Sequence, residues 1–174
     1  MPTTSIMPII KVPDPVLRQR SSPVSEITDG TRRLIEDMVT TMYDAPGIGL
    51  AAPQVNISER IIVMDCGNTE KPNLIQMINP EITNLSEAHS VLEEGCLSIP
   101  TFQQEVPRAK EIELTYQDLH GREQKLIADG LLGYCIQHEI DHLNGKLLVD
   151  YASSLKRSRI KEKLMKSKDV KNKN

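Results

Sequence analysis

The stretch Cys135-Ile136-Gln137-His138-Glu139-Ile140-Asp141-His142-Leu143 sets the reading of the whole chain. On a helix, a spacing of four places the His138 and His142 imidazoles one turn apart on one face, with Glu139 at its edge. Two such nitrogens can hold one divalent metal ion. The carboxylate beside them can then take a proton from activated water without being a ligand. The alternative is a solvated helix that happens to carry two histidines. Leu131, Leu132, Ile136, Ile140 and Leu143 speak against it, because they make the helix too apolar for a surface. Buried imidazoles beside a carboxylate need partners, and two of the four histidines in the chain lie here.

Asp129-Gly130 introduces this helix and Asn144-Gly145 ends it. Before it, residues 110–116 alternate, with Ile112, Leu114 and Tyr116 on one side. Residues 123–128 answer them as a hairpin across Asp118-Leu119-His120-Gly121. Residues 61–64 read as a buried strand, 74–79 as another, and 81–85 as its partner. A helix is predicted over 31–45, with Leu34, Met38 and Met42 as its apolar stripe, flanked by Ile35 and Val39. Thr28 or Asp29 caps its start and Pro46-Gly47 ends it. Residues 11–18 are extended or turning, since each proline disfavours helix before it. A last helix is expected over 154–166, fraying from 168 to 174.

The expected fold is therefore α+β. Small antiparallel or mixed sheets surround a central metal-binding helix, with an N-terminal and a C-terminal helix. Residues 1–150 are expected to form a catalytic metallohydrolase unit, and 151–174 a basic helix and tail that is not a separate domain.

Composition bounds the function. One Phe, four Tyr and no Trp make the core aliphatic and argue against base-stacking platforms, so no specific DNA partner is expected. No apolar run approaches a membrane span, and the N-terminus lacks a basic-then-apolar leader. Three cysteines in such a chain point to free thiols in a reducing compartment. A cytoplasmic location follows as the expectation. Residues 156–174 hold nine basic and two acidic side chains, against twelve and twenty-two in the rest. A basic tail on an acidic body is either solvated or in contact with something anionic.

Two histidines leave a tetrahedral metal short of a protein ligand, and Cys96 and Cys135 are the leading thiols. Cys135 lies seven residues from His142, about 10 Å along a helix axis, which suits packing beside the site better than ligation. Cys96 sits in Glu93-Glu94-Gly95-Cys96-Leu97-Ser98 and can approach from a separate segment, though an inert buried thiol is the commoner fate of such a residue. Cys66 is a third thiol at a strand end with no chemistry evident around it. His89 and His120 read as solvated loop or hairpin positions. Two rivals stand. A zinc peptidase would need a further ligand downstream of His142, where only Asp150 is on offer; a metal-stabilised binding module would need a fourth Cys or His.

Three stretches together resemble the peptide deformylases: Gly47-Ile48-Gly49-Leu50-Ala51-Ala52-Pro53-Gln54, Glu94-Gly95-Cys96-Leu97-Ser98, and Gln137-His138-Glu139-Ile140-Asp141-His142-Leu143. The resemblance extends through Val12-Pro13-Asp14-Pro15-Val16-Leu17 and Val106-Pro107-Arg108, from about residue 8 to residue 165. It implies Cys96, His138 and His142 as metal ligands and Glu139 as general acid and base. It implies the Gln54 amide and the Leu97 backbone N–H as oxyanion donors. The implied reaction removes the formyl group from N-formyl-methionine at the ends of nascent polypeptides. The implied metal is Fe2+ in the cell, with Zn2+, Ni2+ or Co2+ as substitutes.

By motif position the family's methionine pocket maps to Ile48, Leu92, Leu131, Tyr134 and Cys135, and Gly49 lends its backbone to the peptide. Tyr134 replaces an aliphatic residue, and Thr101 stands where many relatives have Gly. Arg108, Glu94 and Asp141 form either a charge cluster behind the ligands or separate surface charges. The family also implies a cytoplasmic location of bacterial type, or an organelle form, with ribosome contact through the basic C-terminal helix and no membrane.

Overall fold

In a computed structural model that describes residues 3–171, strand β2 (Ile61–Asp65) is buried along its whole length. Its side chains alternate between two cores. Ile62 and Met64 face one helix, and Ile61 and Val63 face another. A strand covered on both sides reads as a continuous apolar run, as Ile-Ile-Val-Met does. β2 belongs to a five-stranded sheet in the order β1 (Gly49–Ala51), β2, β3 (Leu74–Leu85), β6 (Glu111–Gln117), β7 (Glu123–Asp129). A separate ribbon pairs β4 (His89–Cys96) with β5 (Ile99–Ala109). All of these pairings are antiparallel; the one parallel feature among the described residues is an isolated bridge between Ser22 and Glu59.

Helix α1 (Asp29–Asp44) covers one face of the sheet with Ile35, Met38 and Met42. Thr28 is its cap: its hydroxyl accepts from Thr31 N–H, and the Thr31 hydroxyl accepts from Thr28 N–H in return. Helix α2 (Gly130–Leu143) covers the other face through Cys135, Ile136, Ile140 and Leu143, packed on Met64, Met77, Ile112 and Leu114. A third core gathers Val12 and Leu17 from the N-terminal segment with Ile99, Val106, Leu147 and Leu148.

Three expectations need correction, and one, the turning of residues 11–18, is refined. Residues 74–85 form one strand instead of a pair, because Asn79, at φ 52°, makes a bulge in place of a turn. Its side chain fixes that bulge by bonding Val24 N–H, Val24 C=O and Gln117. Within residues 11–18, Pro15–Arg18 close into a 3-10 turn capped by Asp14. Leu131, assigned to the buried stripe of α2, is 49% exposed. Helix α3 (Ser154–Lys171) runs past the expected fraying point at 168, while 172–174 lie outside the described residues. Among the described residues no helix is long and apolar enough to cross a membrane.

Candidate metal centre

Gln137 seats α2 against β5. Its amide accepts from Ala109 N–H (3.1 Å) and donates to Ala109 C=O (2.9 Å), as a neighbouring strand would. That anchoring turns His138, Glu139 and His142 toward the β4–β5 ribbon. The ribbon's tight turn brings Cys96 to meet them. One sulfur and two ring nitrogens lie within 4.8 Å of one another, and Cys96 Sγ is 3.4 Å from His142 Nε2. Asp150, the downstream alternative, is engaged elsewhere, paired with Arg18 at 2.7 Å and capping Leu147 N–H at 2.9 Å.

Behind His138 stands a buried ion network. His138 Nδ1 meets Glu94 Oε1 at 2.8 Å, so Nε2 is the nitrogen left for the site. Arg108 grips Glu94 with two N–H groups at 2.9 Å each and Asp141 with a third at 2.7 Å. Tyr151 donates its hydroxyl to the same Asp141 oxygen at 2.7 Å. Arg108, Glu94 and Asp141 are thus one cluster and not separate surface charges, with Arg108 4% exposed. Burial raises Glu94, and the bonds from Arg108 and His138 outweigh it, so its carboxyl sits below the usual range. Truncating Arg108 removes the only guanidinium from two part-buried carboxylates, leaving Glu94 with His138 and Asp141 with the Tyr151 hydroxyl. We expect Arg108→Ala to lose about 3–5 kcal/mol in denaturant unfolding and about 10–100-fold in metal affinity. Because the folded Glu94 value lies below the unfolded one, this stabilisation holds above about pH 4.3 and fades as the pH falls through the folded value. The deficit of the variant should shrink accordingly in acid.

A cleft of about 890 Å³ opens beside the cluster. Cys96, His138, Glu139, Gln54 and Leu97 line it, as do Ile48, Gly49, Leu92, Leu131, Tyr134 and Cys135; His142 lies just behind. Ile48 and Leu131 are 47% and 49% exposed, so the cleft presents apolar side chains to solvent. Gly49 is pressed onto the site: a Cβ there would sit 2.5 Å from Glu139 Oε1 and 2.9 Å from Cys135 Sγ. The Tyr134 hydroxyl finds its partner in Ser90 on β4. Gln54 is held through Oε1 by Ala51 N–H (2.9 Å), which aims Nε2 at Ser98 Oγ (3.1 Å) and Cys96 Sγ (3.7 Å). Thr101 lies on the cleft wall at φ 63°, a conformation that costs a β-branched residue on the order of 1–3 kcal/mol.

The electrostatics divide the three α2 groups. Burial pushes Glu139 up to about 7, against the opposing pull of His138 and Arg108. Burial also opposes charge on His138, but the bonds to Cys96 and Glu94 and the field of Glu139 override it and raise His138 to about 10. His142 is driven well below its ordinary value by burial and by the cations His138 and Arg108. Glu139 Oε2 and His142 Nδ1 are buried without a protein hydrogen bond. Orphaned polar atoms are rare in a folded interior. Beside a thiol and two imidazoles, this donor set fits a divalent metal with an open position.

The motifs give no sign of Ser90 or of Gln137's strand-like role. Only the inward alternation of Ser90, Leu92, Glu94 and Cys96 hints at β4, and two of those four are polar or charged.

The family model for polypeptide deformylase matches residues 6–158. A peptide deformylase of Saccharophagus degradans is 50% identical over 162 residues, which is 93% of this chain and 94% of that one. The crystal structure of a peptide deformylase from Legionella pneumophila superposes with a TM-score of 0.88 at 41% identity, covering 98% of this chain and 99% of that one. A class I type b peptide deformylase from Acinetobacter baumannii with Met-Ala-Ser bound gives a TM-score of 0.81 at 34% identity, covering 86% and 100%. On the match to residues 6–158 and on these likenesses, the chain belongs to the polypeptide deformylase family.

Proposed function

We propose that Cys96, His138 and His142 hold one divalent metal ion, Fe2+ in the cell with Zn2+, Ni2+ or Co2+ as substitutes, and that deformylation of N-formyl-methionyl polypeptides runs at this centre. The supporting observation is the approach of one thiol and two imidazoles to within 4.8 Å beside a buried carboxylate, on the wall of a cleft. When bound, the ion acts as a Lewis acid that polarises the formyl carbonyl and acidifies water. Glu139 takes the proton from the attacking water and returns it to the departing amine. A carboxylate in a water-poor site is a stronger base than an exposed one.

We assign Gln54 Nε2 and the Leu97 N–H as donors to the oxygen that gains charge as the carbonyl becomes tetrahedral. Gln54 suits that part because Ala51 fixes its other end. The methionine side chain is taken by Ile48, Leu92, Leu131, Tyr134 and Cys135. The peptide then runs along β1, a sheet edge with free backbone groups at Gly49. Formate release from formyl-Met-Ala-Ser by anaerobic Fe2+-loaded enzyme tests this reading; no release above the metal-free background would defeat it. Met-Ala-Ser, the peptide bound in the Acinetobacter relative, is what that reaction would leave.

We also propose that α3 carries the contact with the ribosome. Lys156 is committed to β5, through Gln103 C=O at 3.0 Å and Gln104 Oε1 at 2.8 Å. Arg159, Lys161, Lys163 and Lys166 remain exposed. Co-sedimentation with ribosomes should weaken steeply with added salt and disappear when residues 154–174 are deleted. Binding that survives the deletion would place the contact elsewhere.

A further inference from the structure

Side chains from β4 and α2 meet in three rungs, in the same order along both elements. Cys96 meets His142, Glu94 meets His138, and Ser90 meets Tyr134, hydroxyl to hydroxyl. The three α2 partners are four residues apart and form one stripe on the helix. The three β4 partners share its half-buried face, which alternates with the exposed Val91 and Glu93. Leu92 is the remaining residue of that face, between the second and third rungs, and it lines the cleft. Leu131, Tyr134 and Cys135 of α2 line the same cleft, with Ile48. Between Glu94 and Ser90, β4 advances about 13 Å. Between His138 and Tyr134, α2 advances only about 6 Å. The long tyrosine side chain makes up the difference and reaches β4, which an aliphatic residue at 134 could not do. Breaking the third rung leaves two hydroxyls in a part-buried seam, so the ring is held in one rotamer.

We propose that the Ser90–Tyr134 hydrogen bond fixes the far wall of the pocket for the first residue and so sets its length. Methionine and unbranched side chains of the same size fit, and longer ones are turned away. The proposal rests on the pocket assignment made above. The Glu94–His138 rung bounds the pocket on the metal side and the Ser90–Tyr134 rung bounds it on the other, with Leu92 between them. Tyr134 touches the substrate side chain; Ser90 acts through Tyr134 and is a positioning residue. The selectivity comes from exclusion, because a longer chain must break the rung and displace the ring before it fits. In an apolar pocket one methylene in misfit changes kcat/KM by about 10–200-fold.

The test uses full-length Ni2+-loaded enzyme and three peptides: formyl-Met-Ala-Ser, formyl-norleucyl-Ala-Ser and formyl-2-aminooctanoyl-Ala-Ser. The third carries two methylenes more than the second. The readout is kcat/KM relative to the methionyl peptide, a ratio that the folded or metal-loaded fraction does not change. Wild type should accept norleucyl to within a few-fold and aminooctanoyl about 100-fold less well. Tyr134→Ala should recover about tenfold or more of that deficit. Tyr134→Phe and Ser90→Ala remove the same bond, so each should recover a similar, smaller part, about three- to tenfold, and the double variant no more than either. Ser90→Thr keeps the hydroxyl and should keep the wild-type ratio. Leu92→Ala enlarges the pocket from the opposite wall and leaves the rung intact, so it should also raise the aminooctanoyl ratio. If Leu92→Ala moved the ratio while the Ser90 and Tyr134 variants did not, the rung would be overturned and the pocket assignment would stand. If none of them moved it, the pocket assignment would fail and the proposal with it.

Discussion

Glu139→Ala is expected to abolish turnover and leave the metal in place. Glu139 is 4% exposed, and its Oε2 has no protein partner. Its carboxylate is therefore not structural in the way of Glu94, which is gripped by Arg108 and His138. The proposed proton shuttle is the one task that uses it, and a positioned general base contributes about 10²–10⁴-fold in rate. The measured kcat should fall by at least that factor, with one metal per chain retained. Stability should hold or improve, because an unpaired buried carboxylate is a liability in the folded state. A variant with near wild-type kcat would remove Glu139 from the chemistry. One that lost its metal as well would make it a ligand.

Cys96→Ala should have the opposite signature, with metal and activity lost together. Two imidazoles alone hold a divalent ion far more weakly than two imidazoles and a thiolate. Dialysed Cys96→Ala should carry well under one metal per chain by elemental analysis, while wild type carries one. His138 should keep its pairing with Glu94, so the fold should survive. If the variant stayed fully loaded, the third ligand would have to come from elsewhere, as in the peptidase alternative. Asp150 is badly placed for that, since it is bound to Arg18 and Leu147 N–H.

The two helices that sandwich the sheet were legible because their apolar period and end signals agree: Thr28 before α1, and Asn144-Gly145 after α2. The β6–β7 hairpin was legible for the same reason in period two. Elsewhere the pattern misled. The Asn79-Pro80 pair looks like a turn, and only its tertiary bonds to Val24 and Gln117 show that the strand continues through it. The β4–β5 ribbon went unread because its inward face carries Ser90 and Glu94, whose partners Tyr134, His138 and Arg108 come from other segments. Leu131 was read as core by its spacing, yet the cleft leaves it open to solvent.

The site was legible in unequal parts. The two histidines and Glu139 declare themselves by spacing on one helix. Cys96 does not, since no local rule separates it from Cys66 or Cys135; only the resemblance of its flanking residues to a family motif singled it out. Thr101 illustrates a departure whose cost is visible only in three dimensions. It holds the left-handed conformation that a glycine would take freely.

Anomalous diffraction from crystals of the Ni2+-loaded protein tests the central claim most directly. The account predicts a single ion bonded to Cys96 Sγ at about 2.3 Å and to one nitrogen each of His138 and His142 at about 2.0–2.1 Å, with Glu139 outside bonding distance. An ion found elsewhere, or a Cys96 side chain turned away from it, would contradict the account.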